Sequence, residues 1–511
     1  MNLVILDIVN PNFKDINKNI LMSNNSVILP LTPSSIYYLE LNNIKYFTFH
    51  DIISKENFRK NIIYLYSKVY ELNKTNDNFK VFFLEIAQYI NYYYYIDNIV
   101  DYIKNNNFDE IFYITDRDNQ HSEVLNNNNS LLYKYIKFSK IIKIKTSNKK
   151  LNKKIKLLKR FTITDLYLRI KNNILKTMLK YDWLYINPKR YRKYFYNIKI
   201  REEFFINGFK NIKESKLYFD INCKDIFIPF QFFLTKDSFV QALEYKKTNN
   251  KLFFFQHGNY LYQNLFIKFA EIELADINFV FNDYTKKFFE ELGAKKVYSV
   301  GSILFNKPIK EKKKKYDFLY ITQGHDYTGN LQYVDFPNSL HSFDGYELYQ
   351  RHKNIINLFG TKFKDKKIII RVHPTVVTNG VYVPFWELAE PYSNITIDAS
   401  IPIHNLIEKS KYIISDYFTS DFINRELHYK RDIILFQGAP TPLPEETIEN
   451  MKKMFILVDT VDDLEEKVKD IEKITKNRKR YDDIIEYYSS KNCDTKKIVT
   501  EILKKELNAR T

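Results

Sequence analysis

Two histidines, each at the end of an apolar run, are the first residues whose type and setting could do chemistry. His257 stands in Gln256-His257-Gly258 after Phe253-Phe254-Phe255, and His373 stands in Arg371-Val372-His373-Pro374 after Ile368-Ile369-Ile370. Each run reads as a strand that delivers an imidazole into a loop, where Gly258 or Pro374 turns the chain. A neutral imidazole in a cleft can accept a proton from an attacking hydroxyl near neutral pH. Gly258 also lets the backbone approach a ligand closely. The plainer reading of either histidine is a structural turn.

Arg371 beside His373 suits a phosphate or pyrophosphate. The guanidinium offers a two-pronged donor, and the imidazole a further donor that can neutralise a leaving phosphate. A third group lies in Ser415-Asp416-Tyr417-Phe418-Thr419-Ser420, where an apolar strand gives way to a hydroxyl-rich turn and an expected helix start. Free backbone N–H groups and the helix dipole there favour an anion, and Ser415, Thr419 and Ser420 add hydroxyl donors. Thr419 or Ser420 could equally serve as a helix cap. Ser302 after Gly301, and Gly324 and His325 in the loop from Thr322 to Asp326, end two further expected strands and are candidate cleft residues.

Several chemistries are missing. The chain has no GxxxxGK[ST] loop, no GxGxxG fingerprint, no HExxH and no GxSxG elbow. Asp116-Arg117-Asp118 resembles a metal-binding acidic triplet after a strand, but it sits in the wrong half for a donor-binding metal and reads as a surface or acceptor-side loop.

These residues need strands to carry them. Strands are expected at 3–8, 27–29, 46–48 and 111–115, with helices at 58–72 and 81–95 between them. The rhythm returns with strands at 225–229, 251–256, 278–281 and 295–300, and helices at 237–247 and 284–292. After a charged, proline-started linker at 307–315 come strands at 318–322, 367–372, 394–397, 412–415, 433–436 and 454–457. Helices are expected at 346–362, 461–476 and 480–507. Strands alternating with helices imply parallel sheets covered by helices. In open α/β sheets ligands bind just beyond the carboxyl ends of the strands, which is where every candidate above lies.

The totals set bounds. A chain of 511 residues has room for two to four domains. The 41 Tyr, 41 Phe and abundant Lys, Asn and Ile against 10 Gly suggest an AT-rich genome, so the formal charge of +18 argues only weakly for anionic partners. Two cysteines, Cys223 and Cys493, exclude a disulfide framework and a cysteine-rich zinc site. The first residues read as a strand rather than a signal peptide, and no apolar run approaches the ~20 residues of a spanning helix. Between residues 134 and 160 stand twelve Lys or Arg and no acid. That stretch is either an insertion with a solvated basic face or a patch that rests on anionic lipid.

In order and placement, Gln256-His257-Gly258, Arg371-Val372-His373-Pro374 and the 415–420 turn resemble the CDP-glycerol glycerophosphotransferase family of teichoic-acid polymerases and related capsule and surface-carbohydrate transferases. The likeness runs from about residue 225 to 457. It departs at Phe418-Thr419, where the family has a serine, and at Arg431, where a proline is expected. The resemblance implies a GT-B architecture, two Rossmann-like domains facing across a cleft. Here these would be residues 1–305, with a basic helical insertion at about 131–215, and residues 316–475, with a C-terminal helix at 476–511 packing back on the first domain.

It also implies metal-independent transfer, without a cofactor, of a sugar or glycerol phosphate from a nucleotide-activated donor of CDP or CMP type to a glycan or lipid-linked acceptor. His257 would orient or deprotonate the acceptor hydroxyl. His373 and Arg371 would hold the donor phosphate, with Ser415, Asp416, Thr419 and Ser420 completing its seat and Gln256, Gly258, Ser302, Gly324 and His325 lining the cleft. Such a protein would work in the cytoplasm or on the inner face of the membrane. A nucleotide-sugar epimerase of similar shape, a basic nucleic-acid-binding protein and an inert membrane-associated scaffold are the competing readings.

Overall fold

The computed structural model describes residues 1–8, 18–23, 25–54, 98–116, 139–143, 226–227, 251–256, 275–302, 312–322, 345–373, 383–416, 431–436, 445–479, 481–491 and 493–508, with a few isolated positions besides. The expected helices at 58–72, 81–95 and 237–247 lie wholly or largely outside them.

Short apolar runs punctuated by polar residues form three parallel sheets. The first has the order β2-β1-β3-β4, built from β1 (Asn2–Asp7), β2 (Ser26–Pro30), β3 (Ile111–Thr115) and β4 (Lys140–Lys143). The second has the order β5-β6-β7-β8, from β5 (Ile226–Phe227), β6 (Lys251–Phe255), β7 (Ile277–Val280) and β8 (Val297–Ser299). The third has six strands in the order β11-β10-β9-β12-β13-β14: β9 (Tyr316–Ile321), β10 (Ile368–Arg371), β11 (Ile395–Asp398), β12 (Ser410–Ser415), β13 (Ile433–Phe436) and β14 (Ile456–Val458). Every pairing is parallel. The chain is an α/β protein.

Among the strands, two expectations differ. Residues 44–48 form no strand, and Phe47 N–H donates only to the Ile28 carbonyl. Residues 140–143, assigned above to the basic helical insertion, form the edge strand β4 against β3. Ile141 and Ile142 between lysines suit an edge, because lysines blunt further pairing. The rest of the insertion, and nearly all of the basic stretch 134–160, lies outside the described residues.

The third sheet is buried on both faces, which is why its strands are almost continuously apolar. On one face Phe318, Tyr320, Ile370 and Ile414 meet the long helix α3 (Gly345–Thr361) and α4 (Phe385–Ala389). On the other, Leu319, Ile321, Ile369 and Ile413 meet α5 (Ile403–Glu408) and α6 (Glu445–Met454). Alternation along each strand divides the two sets. The expected helix 461–476 breaks after Lys469, where α7 (Val461–Lys469) gives way to a separate helix, Ile471–Asn477. The end of the charged linker is tied to this unit, with Lys312 paired to buried Glu408 at 2.6 Å.

Contacts join the first two sheets to the third. Helix α1 (Pro33–Leu41) places Ile36 in the core under α3, and Glu40 pairs with Lys353 at 2.9 Å. At the other end, the expected helix 480–507 is two helices, α8 (Asp482–Tyr488) and α9 (Thr495–Asn508). Helix α8 packs against α2 (Asp283–Glu291), with Tyr284 and Tyr488 rings 4.4 Å apart. Val499 of α9 joins Phe253, Phe255 and Phe279 of the second sheet, and Glu506 pairs with Lys296 at 2.8 Å.

Gly301 sits where the 491–495 segment crosses the end of β8. Its φ is +76°, and a Cβ there would lie 2.5 Å from the Lys491 carbonyl oxygen, a backbone atom. Gly301→Ala therefore combines a left-handed strain of roughly 1–2 kcal/mol with overpacking of similar size. A loss of about 2–4 kcal/mol in urea unfolding is expected. A loss near zero would mean that the crossing is loose.

Candidate functional site

The strand order of the third sheet locates its crevice. Numbered from β9, the order is 3-2-1-4-5-6, the Rossmann arrangement, with the connections diverging between β9 and β12. Ligands bind at such a switch point, outside the carboxyl ends of the strands. Arg371 and Ser415 lie level with each other there, each paired in register with Ile321.

Thr322 stitches the strand ends together. Its N–H donates to the Arg371 carbonyl at 3.1 Å, and its Oγ1 accepts from the His373 N–H at 3.2 Å. Position 372 is tied from the other side by a 2.8 Å bond from its N–H to the Asp398 carbonyl. The backbone carrying Arg371 and His373 is thus fixed by both neighbours. The Arg371 guanidinium is half-buried and donates to the Val372 carbonyl at 3.1 Å.

Burial, reinforced by the Arg371 charge, lowers the His373 pKa from 6.5 to about 4. The ring is therefore neutral at pH 7, a hydrogen-bonding group rather than a cation. The unfolded chain binds the proton more readily than the folded one, so this residue's contribution is intact above pH 6.5 and lost as the pH falls towards 4. Relative to His373→Gln, the wild type should lose at most about 3 kcal/mol over that window. Parallel pH profiles of unfolding would show that the ring is solvated.

A second cluster surrounds the next residue after Ser415. The carboxylate of Asp416, at the end of β12, is buried and accepts from His352 Nε2 at 2.7 Å and from the Tyr320 hydroxyl at 2.7 Å. Arg351 Nη1 stands 3.7 Å from the same carboxylate, and its guanidinium lies 4.5 Å from the centre of the Phe436 ring. Burial pushes the Asp416 carboxyl upward, but His352, Arg351 and the two hydrogen bonds outweigh it and hold it below the usual carboxylate range. Burial and the neighbouring carboxylate push the Tyr320 hydroxyl well up, so it stays protonated and donates.

The first sheet has a switch point of its own kind. Its order 2-1-3-4 diverges between β1 and β3, and there buried Asp7 accepts from the Tyr113 hydroxyl at 2.5 Å.

The structure thus gathers Arg371, His373, Ser415 and Asp416 at one sheet end. Both oxygens of Asp416 are engaged internally. Gln256 is buried, and its side chain accepts from the Phe281 N–H at 2.6 Å, bracing the strand end that leads to His257. Ser302 is buried where its N–H donates to Ser490 Oγ at 2.9 Å. His257, Gly258, Gly324, His325, Thr419 and Ser420 lie outside the described residues. Sequence reasoning missed His352, Arg351 and Tyr320. Their signal was a histidine on the apolar face of a helix, in line with Leu348, Ile355 and Phe359, where a polar ring must find a partner.

No family model and no curated protein matches the chain. Among solved structures it is similar to a Staphylococcus aureus MnaA–UDP co-structure, with a TM-score of 0.39 and 13% identity over 80% of this chain and 92% of that one. It is also similar to a Methanocaldococcus jannaschii UDP-GlcNAc 2-epimerase in complex with UDP-GlcNAc and UDP, with a TM-score of 0.38 and 14% identity over 80% and 95%. A third is a glycosyltransferase from Rickettsia africae, with a TM-score of 0.33 and 14% identity over 81% and 94%. At these values the likenesses carry no argument about ligand or reaction, and the chain's own strand order and residues must carry it.

Proposed function

We propose that the chain is a GT-B-type enzyme that takes a nucleotide-activated donor at the switch point of its third sheet and transfers a sugar or polyol phosphate to a surface-glycan acceptor. One observation carries this reading: Arg371, His373 and Thr322 are locked together at the carboxyl ends of β9 and β10, at the divergence of a Rossmann-ordered sheet. A half-buried guanidinium and a neutral imidazole two residues apart suit a diphosphate, one by charge and one by hydrogen bonding. His257 would act on the acceptor side as base. Cytidine donors are favoured by the motif resemblance alone.

Thermal-shift screening with CDP, CMP, UDP and GDP tests the donor site. Specific binding at a hundredfold excess over Kd stabilises by about 2.7 kcal/mol. Arg371→Ala should weaken that binding roughly ten- to a hundredfold, since a charge-assisted hydrogen bond contributes about 1.5–3 kcal/mol. No shift with any nucleotide would remove the donor reading. Isomerisation of a UDP-sugar without acceptor would replace transfer by epimerisation.

A further inference from the structure

The donor expectation counts Asp416 in the phosphate's seat, yet both oxygens of its carboxylate are bonded inside the protein, one residue past the end of β12. Asp416 is the residue at which the chain leaves β12, and both its backbone and its side chain are held by β9. Its N–H donates to the Ile321 carbonyl at 3.3 Å, and its carboxylate accepts from Tyr320 on the same strand at 2.7 Å. The second oxygen is held by His352 of α3, the helix that follows β9, at 2.7 Å. A carboxylate only accepts, so His352 must carry its proton on Nε2. His352 is itself fully buried, with its ring 5.0 Å from that of Phe385.

As a device for stability alone the arrangement is a poor choice, because apolar residues of equal volume commonly stabilise as well or better. What it does provide is direction. Two bonds set where the backbone leaves the sheet, one residue beyond Ser415, which is level with Arg371 across β9. We infer that His352 and Tyr320 are positioning residues that clamp Asp416 and so fix the β12 strand end for binding a nucleoside diphosphate. This rests on the donor reading above. The ligand chemistry it concerns is the diphosphate and not the base, because the clamp lies at the strand ends where the anion would sit.

The test compares CDP and UDP with cytidine and uridine on the full chain, using ligand-observed NMR to reach millimolar affinities and circular dichroism to confirm folding. His352→Phe should weaken diphosphate binding roughly tenfold or more, and Tyr320→Phe by about fivefold, through loss of a bond to a charged group. Nucleoside affinity should change by less than about twofold, and His352→Gln, whose amide can still donate, should recover most of the diphosphate affinity. Tyr320→Phe removes a single oxygen and decides the matter if His352→Phe does not fold. Unchanged diphosphate affinity in a folded variant, or an equal loss for nucleoside and diphosphate, overturns the positioning role while leaving the donor reading in place. A wild-type protein that binds neither diphosphate overturns both.

Discussion

Asp416→Ala should cost about 3–5 kcal/mol of folding stability, the usual penalty for removing one partner of a buried ion pair. The carboxylate has the His352 N–H, the Tyr320 hydroxyl and the Arg351 guanidinium around it, and the first two point at it from 2.7 Å. Alanine leaves these donors facing a cavity that an apolar methyl cannot satisfy. Since small domains are stable by only about 5–15 kcal/mol, the variant should be visibly destabilised in urea and lose stability cooperatively with the third sheet. Asp416→Asn should cost less, because its amide oxygen still accepts one of the bonds while its NH2 group opposes the other donor. A loss below about 1 kcal/mol for the alanine variant would mean that water already reaches the carboxylate.

His257→Ala should lower turnover by about 10²–10⁴, the contribution of a positioned general base, while leaving nucleotide affinity nearly unchanged. The division follows from where the two groups of residues attach to the chain. His257 follows Gln256, whose side chain is spent bracing β6 against β7 and the start of α2. Arg371 and His373 belong to the third sheet. A change at the first strand end should therefore leave the second intact. Kinetics with saturating donor, alongside nucleotide titration, separate the two effects. Normal turnover in a folded variant would reduce Gln256-His257-Gly258 to a structural turn.

Much of the architecture was legible because parallel strands buried on both faces leave a simple trace. Ile368-Ile369-Ile370 and Ile433-Ile434-Leu435-Phe436 are too short for ordinary helices and too apolar for loops, and both are strands. The helix expected at 284–292 is Asp283–Glu291, and Gly293 just beyond it takes the left-handed φ of +92° with which helices commonly end. Strand 46–48 failed because an aromatic, β-branched run has strand propensity by itself, whereas here one backbone bond, from the Phe47 N–H to the Ile28 carbonyl of β2, does not make a ladder. Strand β4 was hidden by its lysines, which mark an edge and a solvated face alike.

The sequence by itself determined which residues end strands: Arg371, His373, Ser415 and Asp416 are next to apolar runs, and their positions at a sheet's carboxyl edge follow from local pattern. It could not determine which ends are neighbours. The order β11-β10-β9-β12-β13-β14 places Arg371 and Ser415 level across Ile321, although 44 positions separate them in the chain. Nor could it show that Asp416, which reads as a phosphate ligand, turns its carboxylate inward to a histidine and a tyrosine on other elements. Local periodicity depends on a residue's own element and is written in the sequence. The pairing of a buried charge depends on which elements pack beside it, and only tertiary structure decides that.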